Sequence, residues 1–196
     1  PIVRTWFALT AIAHAQGRTD EMVRAFAWFD PRRNTFPDSP FGRVMHGAVD
    51  ARAAAFGLCP VFVAPDSFLD AWNETPGLPS WYAAIELVLD GWLNAGRHEL
   101  VTAALTRMQA WEQFPLTSAL ARASSDLMGA RLGFAAGDAS AASGLAERSL
   151  GYARTVGAQW WIVRALRARQ MAGEPLSAQE LDEATAIERR LGLPPP

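Results

Sequence analysis

The sequence predicts an all-α protein, a right-handed solenoid of about five helix pairs. Three observations predict it. Glycines recur at a near-constant interval: Gly17, Gly57, Gly96, Gly137 and Gly173 are separated by 40, 39, 41 and 36 residues. Apolar residues between them recur every three to four positions, the spacing that lines one helix face. Polar capping residues and prolines stand where helices would begin and end. A fixed interval of this size marks stacked helical pairs, none of which can bury its apolar face alone.

Counted from the glycines, the pairs are 3–16 with 19–29, 40–56 with 66–73, 80–95 with 98–113, 117–136 with 138–156, and 159–172 with 177–191. Each glycine of the interval closes the first helix of its pair in a left-handed conformation, which carries no steric cost without a Cβ. Before Gly96, Trp81, Ile85, Val88 and Trp92 form one stripe. Before Gly137, Leu116, Leu120, Ala123, Leu127, Ala130 and Phe134 form another. Asp138 is a good N-cap, and Ala142, Leu145, Ser149, Tyr152 and Val156 follow at helical spacing. The last helix is the best marked. Ser177 and Glu180 make a capping box, Leu176 is placed to staple onto Leu181, Gly192 stops the helix, and Pro194–Pro196 forbid its continuation.

Two connections are unusual. "DPRRNTFPDSP" (30–40) joins the first two pairs, and "GLCPVFVAPD" (57–66) splits the second where a tight turn is expected. We read Val-Phe-Val there as a buried extended segment rather than a short strand. Gly144 and Gly151 fall inside one helix, and close approach to a neighbouring helix is the simplest reason for them.

The stretch "AAGDASAASGLAERSLGYA" resembles the second half of a tetratricopeptide repeat, with Gly137, Asp138 and Ala142 on the matching positions. Gly17 with Asp20, Glu21 and Phe26 fits partly, and an interval near 40 exceeds the usual 34 of that family. "AERSLGYARTVGAQWWIVRALRAR…AIERRLGLPPP" is similar to the C-terminal helical-repeat regions of MalT-like and LuxR-type ATP-binding bacterial regulators, and of nucleotide cyclases fused to an ATPase module. The likeness is carried by residues 135–196, and over the remainder only by the interval. It implies a repeat domain that binds an effector or partner protein and restrains an output domain elsewhere in a bacterial signalling or transcriptional regulator. We therefore expect one helical-repeat domain over 1–196, a segment of a larger protein, beginning as it does at Pro1 without methionine.

Composition excludes several chemistries. The 196 residues are 50% hydrophobic, so a core is available, and the net charge of −2 argues against a general nucleic-acid binder. All 18 basic residues are arginine. No P-loop lysine, Schiff-base lysine or Ser-x-x-Lys motif can exist without lysine. The single cysteine, Cys59, cannot form an internal disulfide and fits a reducing, cytoplasmic compartment as a buried small hydrophobe. "PIVRTWFALTAIAHAQ" has the outline of a short signal peptide, but the repeat register uses it as a helix. No apolar run approaches the ~20 residues needed to span a membrane. The histidines His14, His46 and His98 are dispersed, and "HEL" at 98–100 lacks a second histidine at zinc spacing. We expect no metal, no cofactor and no enzymatic activity.

The candidate site comes from stacking the pairs, since the first helix of each lines the concave face. Counting back from the glycines levels Asp90 with Arg131 and then Arg167; Glu86, Gln170 and His14 also fall on this face. Two readings fit Asp90 and Arg131. One is an inter-repeat ion pair on a solvated face. In the other, Arg131 and Arg167 form a forked cationic site for a carboxylate or phosphate. Glu86 and Asp90, one turn apart, are read as a solvated face rather than an acid–base pair. Trp160 and Trp161 diverge by ~100° around a helix, which puts Trp160 on the concave side beside arginine, a good recognition surface. The expected function is a non-enzymatic domain holding a protein partner or small effector in its groove. A structural or oligomerising spacer, homo-oligomers included, is the second reading, and an enzyme of unrecognised helical fold the third.

Overall fold

The structure is a computed structural model that describes residues 12–13, 16–29, 31, 39–40, 42–43, 46–47, 70, 79–110 and 118–193. Seven helices are assigned among the described residues, with no strand: α1 (Thr19–Phe29), α2 (Pro79–Asn94), α3 (His98–Ala110), α4 (Ser118–Ala135), α5 (Ala139–Thr155), α6 (Gln159–Met171) and α7 (Ala178–Leu191). The fold is all-α, and these seven match expected helices to within three residues at each end. Of the expected helices 3–16, 40–56 and 66–73, only 12–13, 16, 40, 42–43, 46–47 and 70 are described; all are helical except Gln16, which lies in a turn. The Val-Phe-Val segment, Gly57, Cys59 and His14 lie outside the described residues. The chain divides into two compact units, Pro1–Gly91 and Trp92–Pro196.

In the first unit, α1 opens with Asp20 and Glu21, acidic residues that suit the positive end of a helix. Arg18 pairs with Glu21 there. Ile85 and Val88 of the expected α2 stripe are fully buried, and so is Leu89, which was not assigned to it.

The second unit is built on one turn used repeatedly. Gly96, Gly137, Gly157, Gly173 and Gly192 all have φ between 65° and 91°. After each, the next N–H reaches back five residues: Arg97 to the Trp92 carbonyl, Asp138 to Gly133, Ala158 to Ala153, Glu174 to Arg169 and Leu193 to Glu188, at 2.8–3.1 Å. Each glycine N–H reaches back three, closing a Schellman motif that satisfies carbonyls the helix leaves open. The turn at Gly157 was not anticipated, because it lies halfway through the 40-residue interval. Every helix from α4 to α7 ends this way, not only the first of each pair.

Helix α4 is the hub. It packs most extensively on α5, and also on α3 and α6. Its expected single stripe is too narrow a description. Ala121, Ala123, Ser124, Ser125, Leu127, Met128 and Ala130 are all buried, so the helix is covered on several sides, while Phe134 is 45% exposed. Small residues let the neighbours approach. A Cβ on Gly133 would lie 3.3 Å from the Ala142 nitrogen, and one on Gly129 3.2 Å from a Leu145 methyl. Ser149 Oγ donates to the Ala123 carbonyl at 2.7 Å, joining α5 to α4 inside the core. The close approach expected at Gly144 and Gly151 is not found, since a Cβ at either would meet nothing within 4 Å.

Both predicted caps are present. Asp138 accepts from the Ala141 N–H at 3.0 Å. Ser177 and Glu180 form the reciprocal capping box at the start of α7. Leu176 packs on the cluster formed by Ala123, Leu150, Ala153, Ile162, Val163, Ala165, Leu166, Ala184 and Ile187. Leu181, its expected staple partner, is exposed.

Candidate functional site

On α6, Ile162, Val163, Ala165 and Leu166 face the core. At 100° per residue, positions 160, 164, 167 and 171 form the opposite stripe. Trp160 is half-buried there, with the Arg164 guanidinium 5.1 Å from its ring centroid, within cation–π range. Trp161 packs against the core cluster. The divergence expected of the two tryptophans is thus realised, one as a structural anchor and one as a stacking platform.

Arg167 is placed differently from expectation. Its Nε and Nη2 donate to Glu188 on α7 at 2.8 and 2.7 Å. Its Nη1 donates to Gln170 Oε1 at 3.0 Å. The fork proposed for a ligand carboxylate is therefore filled by one from the same chain, and Gln170 serves to hold it. Arg131 is half-buried on α4, in the same unit. Asp90 belongs to the first unit and is half-buried. Glu86 corrects the expectation of a solvated face: it is 3% exposed, at the edge of the buried arc of Ile85, Val88 and Leu89. A buried carboxylate needs a partner, and Glu86 has one.

Sequence reasoning missed a charge cluster in the second unit. An open depression of about 500 Å³ is lined by Ser140, Ser143, Gly144 and Glu147 of α5, Arg169 of α6, Glu174 of the following loop, and Glu180 of α7. Arg169, 14% exposed, meets Glu180 at 2.6 Å, Glu147 at 2.9 Å and Glu174 at 3.2 Å. Burial pushes the Arg169 guanidinium down, but hydrogen bonds to Glu180 and Glu174 and the charge of Glu147 outweigh it and hold it above its ordinary value. The Ser177 N–H and hydroxyl, joined by Arg169, lower the Glu180 carboxyl to about 2. Ser143 and then Arg169 lower Glu174. The capping box signalled Glu180, but its second role follows only once α6 lies beside α7.

Among the described residues, no group of three His, Cys, Asp or Glu side chains could hold a metal ion, and no helix is long and apolar enough to cross a membrane. No protein-family profile, curated protein or solved structure matches the chain.

Proposed function

We propose that the chain is a non-enzymatic helical-repeat binding domain, of the kind that senses an effector or docks a protein in bacterial signalling and transcriptional regulators. We read α4 with α5, and α6 with α7, as two stacked tetratricopeptide-like repeats. Three features support this: the repeated glycine turns, the packing of each helix on the next, and the additional contact of α4 with α6. In such a stack α4 and α6 are the first helices and line the binding face. Arg131 and the Trp160–Arg164 pair carry recognition; Arg167 and Gln170 brace them from the side of α7.

The observation that carries the reading is the arginine stacked on Trp160, on the face of α6 turned away from the core. A half-buried tryptophan with a guanidinium on its ring offers a partner a flat apolar area beside a fixed positive charge. The test is a photo-crosslinking residue at Met171, exposed on the same stripe of α6, and, as control, at Arg148, an exposed residue of α5 tied to Asp126. The partner trapped at 171 is purified and its affinity measured against variants. Trp160→Ala and Arg164→Ala should each weaken binding at least tenfold, and Arg148→Ala should not. Equal trapping at both positions, trapping of further copies of this chain alone, or unchanged affinity would remove the proposal.

A further inference from the structure

Helix α7 is attached differently from the other helices of its unit. Helix α5 buries six residues, whereas α7 buries only Ala184 and Ile187. Leu191, half-buried, adds a partial apolar contact with the core cluster. The charged contacts run in one sense: carboxylates on α7, arginines on its neighbours. Arg169 of α6 holds Glu180 at the N-terminal end. Arg154 of α5 holds Glu183. Arg167 of α6 holds Glu188 through two parallel bonds. Around the helix, Glu183 and Glu188 flank the Ala184–Ile187 seam on opposite sides. The seam is therefore clamped from both edges, by α5 on one and α6 on the other.

We infer that α7 is a latched lid, a separate opening unit whose release bares the apolar strip of Ile162, Val163 and Leu166 while α4 and α5 stay folded. The physical reason is the balance of terms. Burying one isoleucine and one alanine, with Leu191 half-buried beside them, stabilises weakly against the entropy of ordering a 14-residue helix. Local opening draws on elements with few buried apolar contacts, and the ion pairs set how often this one opens. The loop 172–177, between Met171 and Ala178, is the hinge. Glu147 of α5 and Glu174 of the loop also face Arg169, so the clamp there is shared with groups that remain when α7 leaves.

Hydrogen exchange of the whole chain, read by peptide mass spectrometry, tests this. In the unmodified protein, α7 amides should exchange at least tenfold faster than those of α4 and α5. The variant Glu183→Gln with Glu188→Gln keeps the shape and helix propensity but removes both flanking pairs. It should raise α7 exchange a further tenfold and leave α4 and α5 unchanged. Swapping one pair, Arg167→Glu with Glu188→Arg, should restore most of the protection lost in Glu188→Arg alone. If α4, α5 and α7 exchange at one common rate, or accelerate together in the double variant, α7 is part of a single cooperative unit and the lid does not exist. Unchanged α7 exchange in the double variant overturns the latch equally.

Discussion

Four glycines inside two packed helices should respond to alanine with different signs, and the signs follow from space alone. Alanine is favoured over glycine in a helix interior by about 0.8–1.0 kcal/mol. At Gly144 and Gly151 the added methyl meets nothing within 4 Å, so the full gain should appear, about 1 kcal/mol each. The two sites are seven residues apart on one helix, about 10 Å by its rise, and should add to about 2 kcal/mol. At Gly133 the methyl would press on the Ala142 nitrogen at 3.3 Å, the Asp138 carbonyl at 3.4 Å and the Ala142 Cα at 3.5 Å. All three are backbone and cannot rotate away. Overpacking costs about 1–3 kcal/mol, so Gly133→Ala should be destabilising by up to about 2 kcal/mol after the propensity gain. Gly129→Ala meets only the end of the Leu145 side chain, at 3.2 Å, and should lie within about 0.5 kcal/mol of neutral. Urea denaturation of the four single variants and the Gly144/Gly151 double measures the order directly. Destabilisation by Gly144→Ala, or a Gly133→Ala variant as stable as Gly144→Ala, would refute this packing of α4 on α5.

Arg167→Ala should cost about 1.5–3 kcal/mol, the range for a hydrogen bond to a charged partner, because it leaves Glu188 without its fork; urea melts followed by helical ellipticity measure it, and Arg167→Lys should recover only part. Ser149→Ala should cost about 1 kcal/mol, the usual net value of one buried hydrogen bond, with no change in secondary structure by circular dichroism. The pH dependence of α7 has a definite sign. The Glu180 pKa is about 2 in the fold against an ordinary 4.5, so its contribution is fully present above about 4.5 and is lost as pH falls towards 2. Glu174, also lowered, acts in the same direction. Protection of α7 amides, normalised for intrinsic exchange, should therefore decline through this acid window, and Glu180→Gln should flatten the decline.

What was legible in the sequence is what is local. Asp138, the Ser177–Glu180 box and Gly192 act within four residues of themselves, and each is found where the chain alone puts it. The stripe of α2 was legible because isoleucine, valine and leucine contrast with their neighbours. Helix α4 was legible only in part: Ala123, Leu127 and Ala130 of its stripe are buried, but most of its further burial runs through alanine and serine, which carry no such contrast. For the same reason the tight glycines were misplaced: Gly129 and Gly133 are indistinguishable from Gly144 and Gly151 until it is known which face of each helix meets the other. The partner of Arg167 depends on where α7 folds back, and no spacing along the chain encodes that.

The unit thus has two modes of adhesion, used in different proportions: an arginine fork, Arg148 on Asp126, also joins α5 to α4, but small residues dominate there. Between α4 and α5, glycine, alanine and serine bring backbones together, and contact at that range is intolerant of any added atom. Around α7 the helices are bridged by long arginine side chains with planar, geometrically specific forks. A chain rich in arginine and without lysine is suited to this, since an ammonium in place of Arg167 could not make two parallel bonds to Glu188 from separate nitrogens. The first mode gives a rigid hub and the second a helix that can separate. Helix α6 belongs to both: its core face is shared with α4, α5 and α7, while Trp160 and Arg164 lie on its other side. A ligand pulling on the Trp160–Arg164 face would therefore act on the helix whose Arg167 and Arg169 hold α7 shut, so that binding at the one and opening at the other need share nothing but the orientation of α6.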